Sequence, residues 1–311
     1  MKPMPFKRKD IEFQSEGTRC AGWLYLPEGA DASKPVPGIV MAHGIAAVKE
    51  MLDVPAFAEA FAEAGFAVLL FDYRFWGASD GEPRHQVFPS AQIEDFRNAI
   101  SELARHLAVD ESRLGVWGTS FAGGHALHLG AFEPRIKCVV SQAPAVDLLR
   151  NMRLVSPPEA IEAMRAAFAE DRRRRYEGEP GAILPVVAAD GEPCLLPGET
   201  NRLLRERELK HLPSLGNEIT LASIEKLLEY APSLISDRIA PVPLLMIVVE
   251  DDELTPSELA LEAFERAGEP KQLLKLKGGH YVVYRSDSQE GFEEASSAAT
   301  AWFTRHLGRL T

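Results

Sequence analysis

The sequence predicts an α/β fold, with a mostly parallel central sheet flanked by helices and a helical cap inserted into it. Three observations lead there. From Gly38 onward, short apolar runs alternate with longer segments of helical period, as in successive βαβ units. Ahead of them stand two alternating runs, Ile11 to Ser15 and Cys20 to Leu26, parted by Glu16-Gly17-Thr18, which suits a hairpin of antiparallel strands at a sheet edge. From Asp147 to Ser236 the alternation stops altogether.

In chain order, the strands of the alternating part are Gly38 to Ala42, Ala67 to Phe71, Leu114 to Trp117, Ile136 to Ser141, Leu244 to Val249 and Gln272 to Leu276. Between them lie Pro55 to Ala64, Ala91 to Leu107, Phe121 to Ala131, Ser257 to Ala267 and a closing stretch from Glu290 to Leu307, each with apolar residues at helical spacing. The interval 147–236 carries charged helical segments, Pro158 to Arg175, Glu199 to Leu209 and Leu221 to Tyr230, divided by Pro180-Gly181, Pro193 and Pro197-Gly198. Its 90 residues far exceed an ordinary connection of about 4 to 6 residues. The domain reading is therefore a core of 1–146 and 237–311, with 147–236 as the inserted cap.

Composition narrows the function classes. A chain of 311 residues with 46% apolar content can bury the core of one large domain with a substantial insertion. The 34 Lys and Arg stand against 46 Asp and Glu, and a formal charge of -12 repels a phosphate backbone, so nucleic acid is not expected as a partner. Cys20, Cys138 and Cys194 lie far apart without a CxxC pair, which suggests reduced structural thiols. The opening MKPMPFKRKDIEF is basic with no apolar region behind it, and no run reaches the length of a membrane span. A soluble, cytoplasmic protein with no membrane partner is expected.

The chemistry is concentrated where strands end. Leu114 to Trp117 runs into Gly118-Thr119-Ser120-Phe121-Ala122-Gly123-Gly124, and a helical pattern begins at once, the strand, turn and helix context of a nucleophile elbow. Gly118 and Ala122 are small because that turn brings backbones close; Ala122 replaces the last glycine of G-x-S-x-G. The strand ending at Val249 delivers Glu250-Asp251-Asp252-Glu253 to the same edge, and an acid there competes with Asp147, which follows the strand ending near Ser141. After Leu276, Lys277-Gly278-Gly279-His280-Tyr281 sets an imidazole on a glycine-rich loop, suited to a general base. The order Ser120, acid, His280 is that of a Ser-Asp-His triad in α/β sheets. At the end of the first parallel strand, His43-Gly44-Ile45 can turn N–H groups inward. The N–H groups of Ile45 and Phe121 are the expected oxyanion hole, each donor contributing about 3 to 4 kcal/mol to the transition state. His43 itself is read as structural.

Other polar features have simpler readings. His125 and His128, three apart on one helix, lack a third ligand, so packing near the elbow is expected and no metal. Asp72, Arg74 and Asp80 are read as loop-bracing groups, and Arg172 to Arg175 as a solvated helix face.

His43-Gly44, Asp72-Tyr73-Arg74 with Gly77 and Ser79-Asp80-Gly81, the elbow at Ser120, Asp252 and Gly279-His280 together resemble the α/β-hydrolase superfamily over nearly the whole chain outside the cap. Ile45 to Met51 and Asn217 to Val249 resemble a branch of polyketide-transferase-like and Xaa-Pro-peptidase-like hydrolases. That resemblance selects Asp252 as the acid, since it stands four residues before Pro256 as in proteins this segment resembles. It implies acyl transfer through a Ser-His-Asp triad on a small-molecule acyl substrate, without a cofactor. The expected activity is cleavage of a carboxylic ester or thioester. The alternatives are an acyltransferase delivering to an alcohol or amine, a carbon-carbon bond hydrolase, and a ligand-binding protein without turnover. Apolar residues of the cap, among them Met152, Leu154, Ile161, Met164, Phe168, Leu227, Leu228 and Tyr230, fall on segments with charged opposite faces and are expected to roof the site. Met152, Met164, Phe168 and Tyr230 are the candidate substrate contacts.

Overall fold

A computed structural model describes residues 3–308. The chain runs through β1 (Phe6–Ser15), β2 (Thr18–Pro27), β3 (Val36–Ala42), α1 (Val54–Glu63), β4 (Ala67–Phe71), α2 (Pro89–Ala104), β5 (Val109–Thr119), α3 (Phe121–Phe132) and β6 (Ile136–Gln142). It continues through α4 (Leu148–Val155), α5 (Pro158–Tyr176), β7 (Ile183–Pro185), α6 (Glu199–Leu209), β8 (Glu218–Thr220), α7 (Leu221–Leu228), β9 (Leu244–Val249), α8 (Ser257–Arg266), β10 (Lys271–Leu276) and α9 (Gln289–Leu307).

Eight strands form one sheet in the order β1-β2-β4-β3-β5-β6-β9-β10. The hairpin β1–β2 is antiparallel and joins β4 in antiparallel fashion, while β4, β3, β5, β6, β9 and β10 are parallel. Pairing of Ser15 with Thr18 leaves Glu16 and Gly17 as a two-residue turn, both with positive φ, the backbone a tight hairpin requires.

Strand alternation divides the core in two. Val40, Leu69, Val116, Val139, Met246 and Val248 face a cluster shared with α2, α3 and α8; Ile39, Met41, Val68, Leu70, Trp117, Val140 and Ile247 face one shared with α1 and α9. Because both faces are covered, the parallel strands read as continuous apolar runs. Phe57 lies 4.9 Å from Trp117 and 4.8 Å from Phe292 between ring centroids, tying α1 and α9 to the sheet. Such pairs contribute about 0.5–1.5 kcal/mol beyond the area they bury.

The segment between β6 and β9 is mainly helical, as its composition suggests, with two departures. The helix α4 lies outside the expected elements; Asp147 caps it by accepting from the Arg150 N–H at 3.0 Å, and Ser156 and Pro157 separate it from α5, which opens on Pro158. The strands β7 and β8 form a small separate antiparallel sheet, too short for a period of two to emerge. Phe168, Ile219, Leu221, Leu227 and Tyr230 of this segment belong to the same buried cluster as Phe121 and Ala122. Ser223 Oγ accepts from the Val87 N–H at 2.7 Å, and the Leu148 N–H donates to the Tyr230 carbonyl at 3.1 Å. No helix among the described residues is long and apolar enough to cross a membrane.

Candidate active site

Parallel strands present their carboxyl ends on one edge, so the loops after β3, β5, β9 and β10 converge there. Ser120 occupies the single residue between β5 and α3, at φ 56° and ψ -118°. That backbone is costly for any residue with a Cβ and persists because neighbours hold it. The Ser120 N–H donates to the Gln142 carbonyl at 2.8 Å, and the Ser120 carbonyl accepts from Ala145 at 3.0 Å and Gly123 at 2.9 Å. At position 118 only glycine fits: a Cβ would stand 2.0 Å from the Ala122 carbonyl oxygen. Ala122 is fully buried, so one methyl is accommodated where a fifth-position glycine is usual.

His280 begins a short 3₁₀ turn after β10, and Asp252 lies in the loop after β9. The His280 Nε2 is 3.1 Å from Ser120 Oγ, and its Nδ1 is 2.7 Å from Asp252 Oδ2. Of the acidic run, Glu250, Asp251 and Glu253 are exposed, and Asp252 alone is buried. Its Oδ1 accepts from the N–H groups of Leu254 at 2.9 Å and Thr255 at 2.7 Å, and its Oδ2 from the Thr255 hydroxyl at 2.7 Å. Burial opposes ionisation of this carboxyl, but the adjacent His280 and the Thr255 donors outweigh it and hold Asp252 below the ordinary carboxylate range. The competing acid, Asp147, is committed to the cap of α4. Thr255 escaped the sequence reading. An Asp accepting from the N–H groups two and three residues on is an Asx-type turn, and Asp252-Glu253-Leu254-Thr255 fits that pattern.

The loop after β3 comes against the serine because residue 44 is glycine; a Cβ there would lie 3.1 Å from Ser120 Cβ. The Ile45 N–H donates to no acceptor among the described residues, and Phe121, as the first residue of α3, has no acceptor within its helix. From below, Asp72 braces this loop by accepting from the Lys49 N–H and its ammonium, both at 2.7 Å. His43 lies buried beside Asp72, with Nε2 3.6 Å from its carboxylate and its ring against Tyr73. Arg74 pairs with Asp95, and Asp80 with Arg19 at 2.7 Å, so all three polar groups of that stretch serve the loops.

His125 is fully buried behind the elbow, with Nδ1 2.8 Å from Tyr230 Oη and Nε2 3.1 Å from Gln92 Oε1. Burial pushes its imidazole down to about 3, and His128 down to about 4. No group of three or more metal-binding side chains occurs among the described residues. The Tyr230 ring also packs on Phe121 at 5.4 Å. Phe168 is buried and Met164 half-buried in the same cluster, whereas Met152 is half-buried on α4 outside it. Leu154, grouped with these by spacing, is instead 56% exposed. Arg172 to Arg175 are paired rather than merely solvated, with Glu225, Glu170, Glu179 and Asp171 respectively. Cys20, Cys138 and Cys194 are free thiols.

The family described as the α/β-hydrolase fold matches residues 37–286. The chain is 30% identical over 285 residues to the quorum-quenching protein AidA of Acinetobacter baumannii, covering 90% of each chain. It is 32% identical over 279 residues to the polyketide transferase grgF of Penicillium sp, covering 88% of this chain and 89% of that one. The crystal structure of that Penicillium protein superposes with a TM-score of 0.81 at 29% identity, over 97% of this chain and 100% of the other. A thiohydrolase, aneE of Aspergillus aculeatus, is 28% identical over 296 residues, covering 92% of this chain and 90% of its own. With the sheet order, the elbow and these similarities in hand, the chain belongs to the α/β-hydrolase family, in the branch that holds polyketide transferases and thiohydrolases.

Proposed function

We propose that this protein is a serine hydrolase that cleaves a carboxylic ester or thioester through Ser120, His280 and Asp252. The observation that carries the reading is the unbroken series of contacts from Ser120 Oγ to His280 Nε2 at 3.1 Å and from His280 Nδ1 to Asp252 Oδ2 at 2.7 Å. With Nδ1–H directed at the carboxylate, Nε2 presents its lone pair to the serine. His280 takes the Ser120 proton as Oγ attacks the acyl carbonyl, and Asp252 stabilises the imidazolium. The N–H groups of Ile45 and Phe121 receive the developing oxyanion. His280 then protonates the leaving alcohol or thiol, and water repeats the attack on the acyl-enzyme to release an acid. The chemistry uses only side chains and backbone, with no cofactor.

The segment 147–236 is the cap in this reading. Phe168, Met164 and Tyr230, packed in one cluster with Phe121, would back the acyl-binding surface, and Met152 on α4 is the candidate contact outside that cluster. Each substrate CH₂ buried there adds about 0.8 kcal/mol, so truncation of Phe168 or Met164 to Ala would penalise long acyl chains more than short ones.

The similarity to a polyketide transferase favours a second reading, acyl transfer to an alcohol or amine acceptor in place of water. A panel of activated esters and thioesters of graded acyl size, run with and without acceptors, tests both. Release of free acid at a rate unaffected by acceptors supports hydrolysis, while acyl product that replaces acid as acceptor rises supports transfer. No turnover of any member would refute both.

A further inference from the structure

On α6, inside the segment between β6 and β9, the sequence Asn201-Arg202-Leu203-Leu204-Arg205 places Asn201 and Arg205 one turn apart on the same helix face. Both are buried, whereas Arg202, between them, is only half-buried and pairs with Glu206. The Arg205 side chain is 3% exposed and has no carboxylate among its described partners. Its guanidinium donates instead to backbone carbonyls: Nη1 to Ala46, Nη2 to Leu215 at 3.0 Å and Gly216 at 2.7 Å, and Nε to Gly216 at 3.0 Å. Burial without a counter-charge pushes this guanidinium down to about 10. An ion held in so unfavourable a setting needs a reason, and the residue it reaches supplies one.

Ala46 follows Ile45, whose N–H is the proposed oxyanion donor, and it holds a left-handed backbone at φ 49° although it is not glycine. Such a conformation persists only where surroundings over-determine it. Ala47, Val48 and Met51 pack on Leu215, and Arg205 grips the Ala46 carbonyl, so one helix and its following turn cover the loop from above while Asp72 holds it from below. The helix is itself tied to the other catalytic loop. Asn201 Oδ1 accepts from the Tyr281 hydroxyl at 2.8 Å, and Tyr281 adjoins His280.

We propose that Arg205 is a positioning residue for the oxyanion hole: by holding the Ala46 carbonyl it keeps the left-handed bend that turns the Ile45 N–H toward the Ser120 site. The proposal rests on the hydrolase reading. It assigns catalytic consequence to a residue of the cap that touches no substrate, and it makes α6 part of the active-site framework.

The test uses the full chain with Arg205→Met and Arg205→Lys. Methionine fills the buried volume and removes the charge, which preserves folding where a smaller residue would leave a void; lysine keeps the charge and one donor. The readouts are kcat and KM for an activated ester, and inhibition by phenylboronic acid, whose tetrahedral adduct on Ser120 uses the oxyanion donors. Arg205→Met should lower kcat by about tenfold to a hundredfold, less than the 10² to 10³ that follows loss of a whole oxyanion donor. KM should hold within about threefold, boronic-acid affinity should fall with kcat, and Arg205→Lys should recover part of both. If the Met variant does not fold, the same parallel fall in the Lys variant decides for the proposal. A folded variant with unchanged kcat and unchanged boronic-acid affinity overturns it while leaving the hydrolase reading intact. A wild-type protein that turns over no activated ester and binds no boronic acid overturns both.

Discussion

The Thr255 hydroxyl donates to Asp252 Oδ2 at 2.7 Å, on the same carboxylate oxygen that meets His280 Nδ1. Thr255 therefore shares the electrostatic task of keeping Asp252 ionised against its burial. Thr255→Val preserves shape and removes that donor, worth about 1.5–3 kcal/mol for a hydrogen bond to a charged group. We expect kcat/KM to fall about tenfold. With that donor gone, burial weighs more heavily against the ionised carboxyl, so the variant should lose more of its rate on acidification than the wild type does. An unchanged profile would remove Thr255 from the site.

Asp252 and Asp147 are both buried acids near the catalytic edge, yet their partners differ. Asp252→Asn replaces the carboxylate facing His280 Nδ1 and should lower kcat by up to about ten-thousandfold through the wrong tautomer. Asp147→Asn retains a side-chain oxygen that can cap α4 and should leave kcat within about twofold. Rates of the two variants on one activated ester check this, and the reverse ranking would refute the assignment.

Strain at Ser120 has a thermodynamic signature. With φ at 56° and ψ at -118°, alanine at position 120 inherits the strain and glycine relieves it. Both variants lose the nucleophile. Ser120→Gly should nevertheless unfold at a higher temperature than Ser120→Ala, by the equivalent of about 1 kcal/mol, the low end of such backbone costs. Thermal melts of the pair are sufficient, and an equal or lower midpoint for glycine would show that the elbow is not strained.

Buried His125 sets an acid limit on stability. Its imidazole titrates at about 3 in the folded chain against an ordinary 6.5, so below pH 6.5 the unfolded chain binds a proton that the folded one refuses. The stabilisation is complete above pH 6.5 and drains away as pH falls toward 3. The slope for one such group is about 1.4 kcal/mol per pH unit. His125→Gln, which can still hydrogen-bond Tyr230 or Gln92, should flatten the decline of the denaturation free energy between pH 6 and 4 relative to wild type, where denaturant titrations measure it. A parallel decline would mean that other groups set the limit.

The legible parts of the sequence were those whose signal is local. The strands β4 and β9 are short apolar runs bounded by turns, and their ends coincide with the expected ones. The elbow shows itself because the sterics of Gly118 and Ser120 act within five residues of chain. What escaped depends on distant partners. The pairing of β7 with β8 joins Ile183 to Thr220, three residues on each side, and no periodicity announces it. The charge-rich helix α6 is legible as a helix, but nothing in Arg202-Leu203-Leu204-Arg205-Glu206 says which arginine turns inward. That is decided by the carbonyls of Ala46, Leu215 and Gly216 that wait beneath it.

The most direct test of the central claim, that Ser120 is a nucleophile activated by His280, is covalent labelling with a fluorophosphonate followed by intact-mass and peptide analysis. The account predicts one adduct per chain, mapped to Ser120, absent in Ser120→Ala and formed far more slowly in His280→Gln. Equal labelling of the Ser120→Ala protein, or an adduct on another residue with Ser120 unmodified, would contradict it.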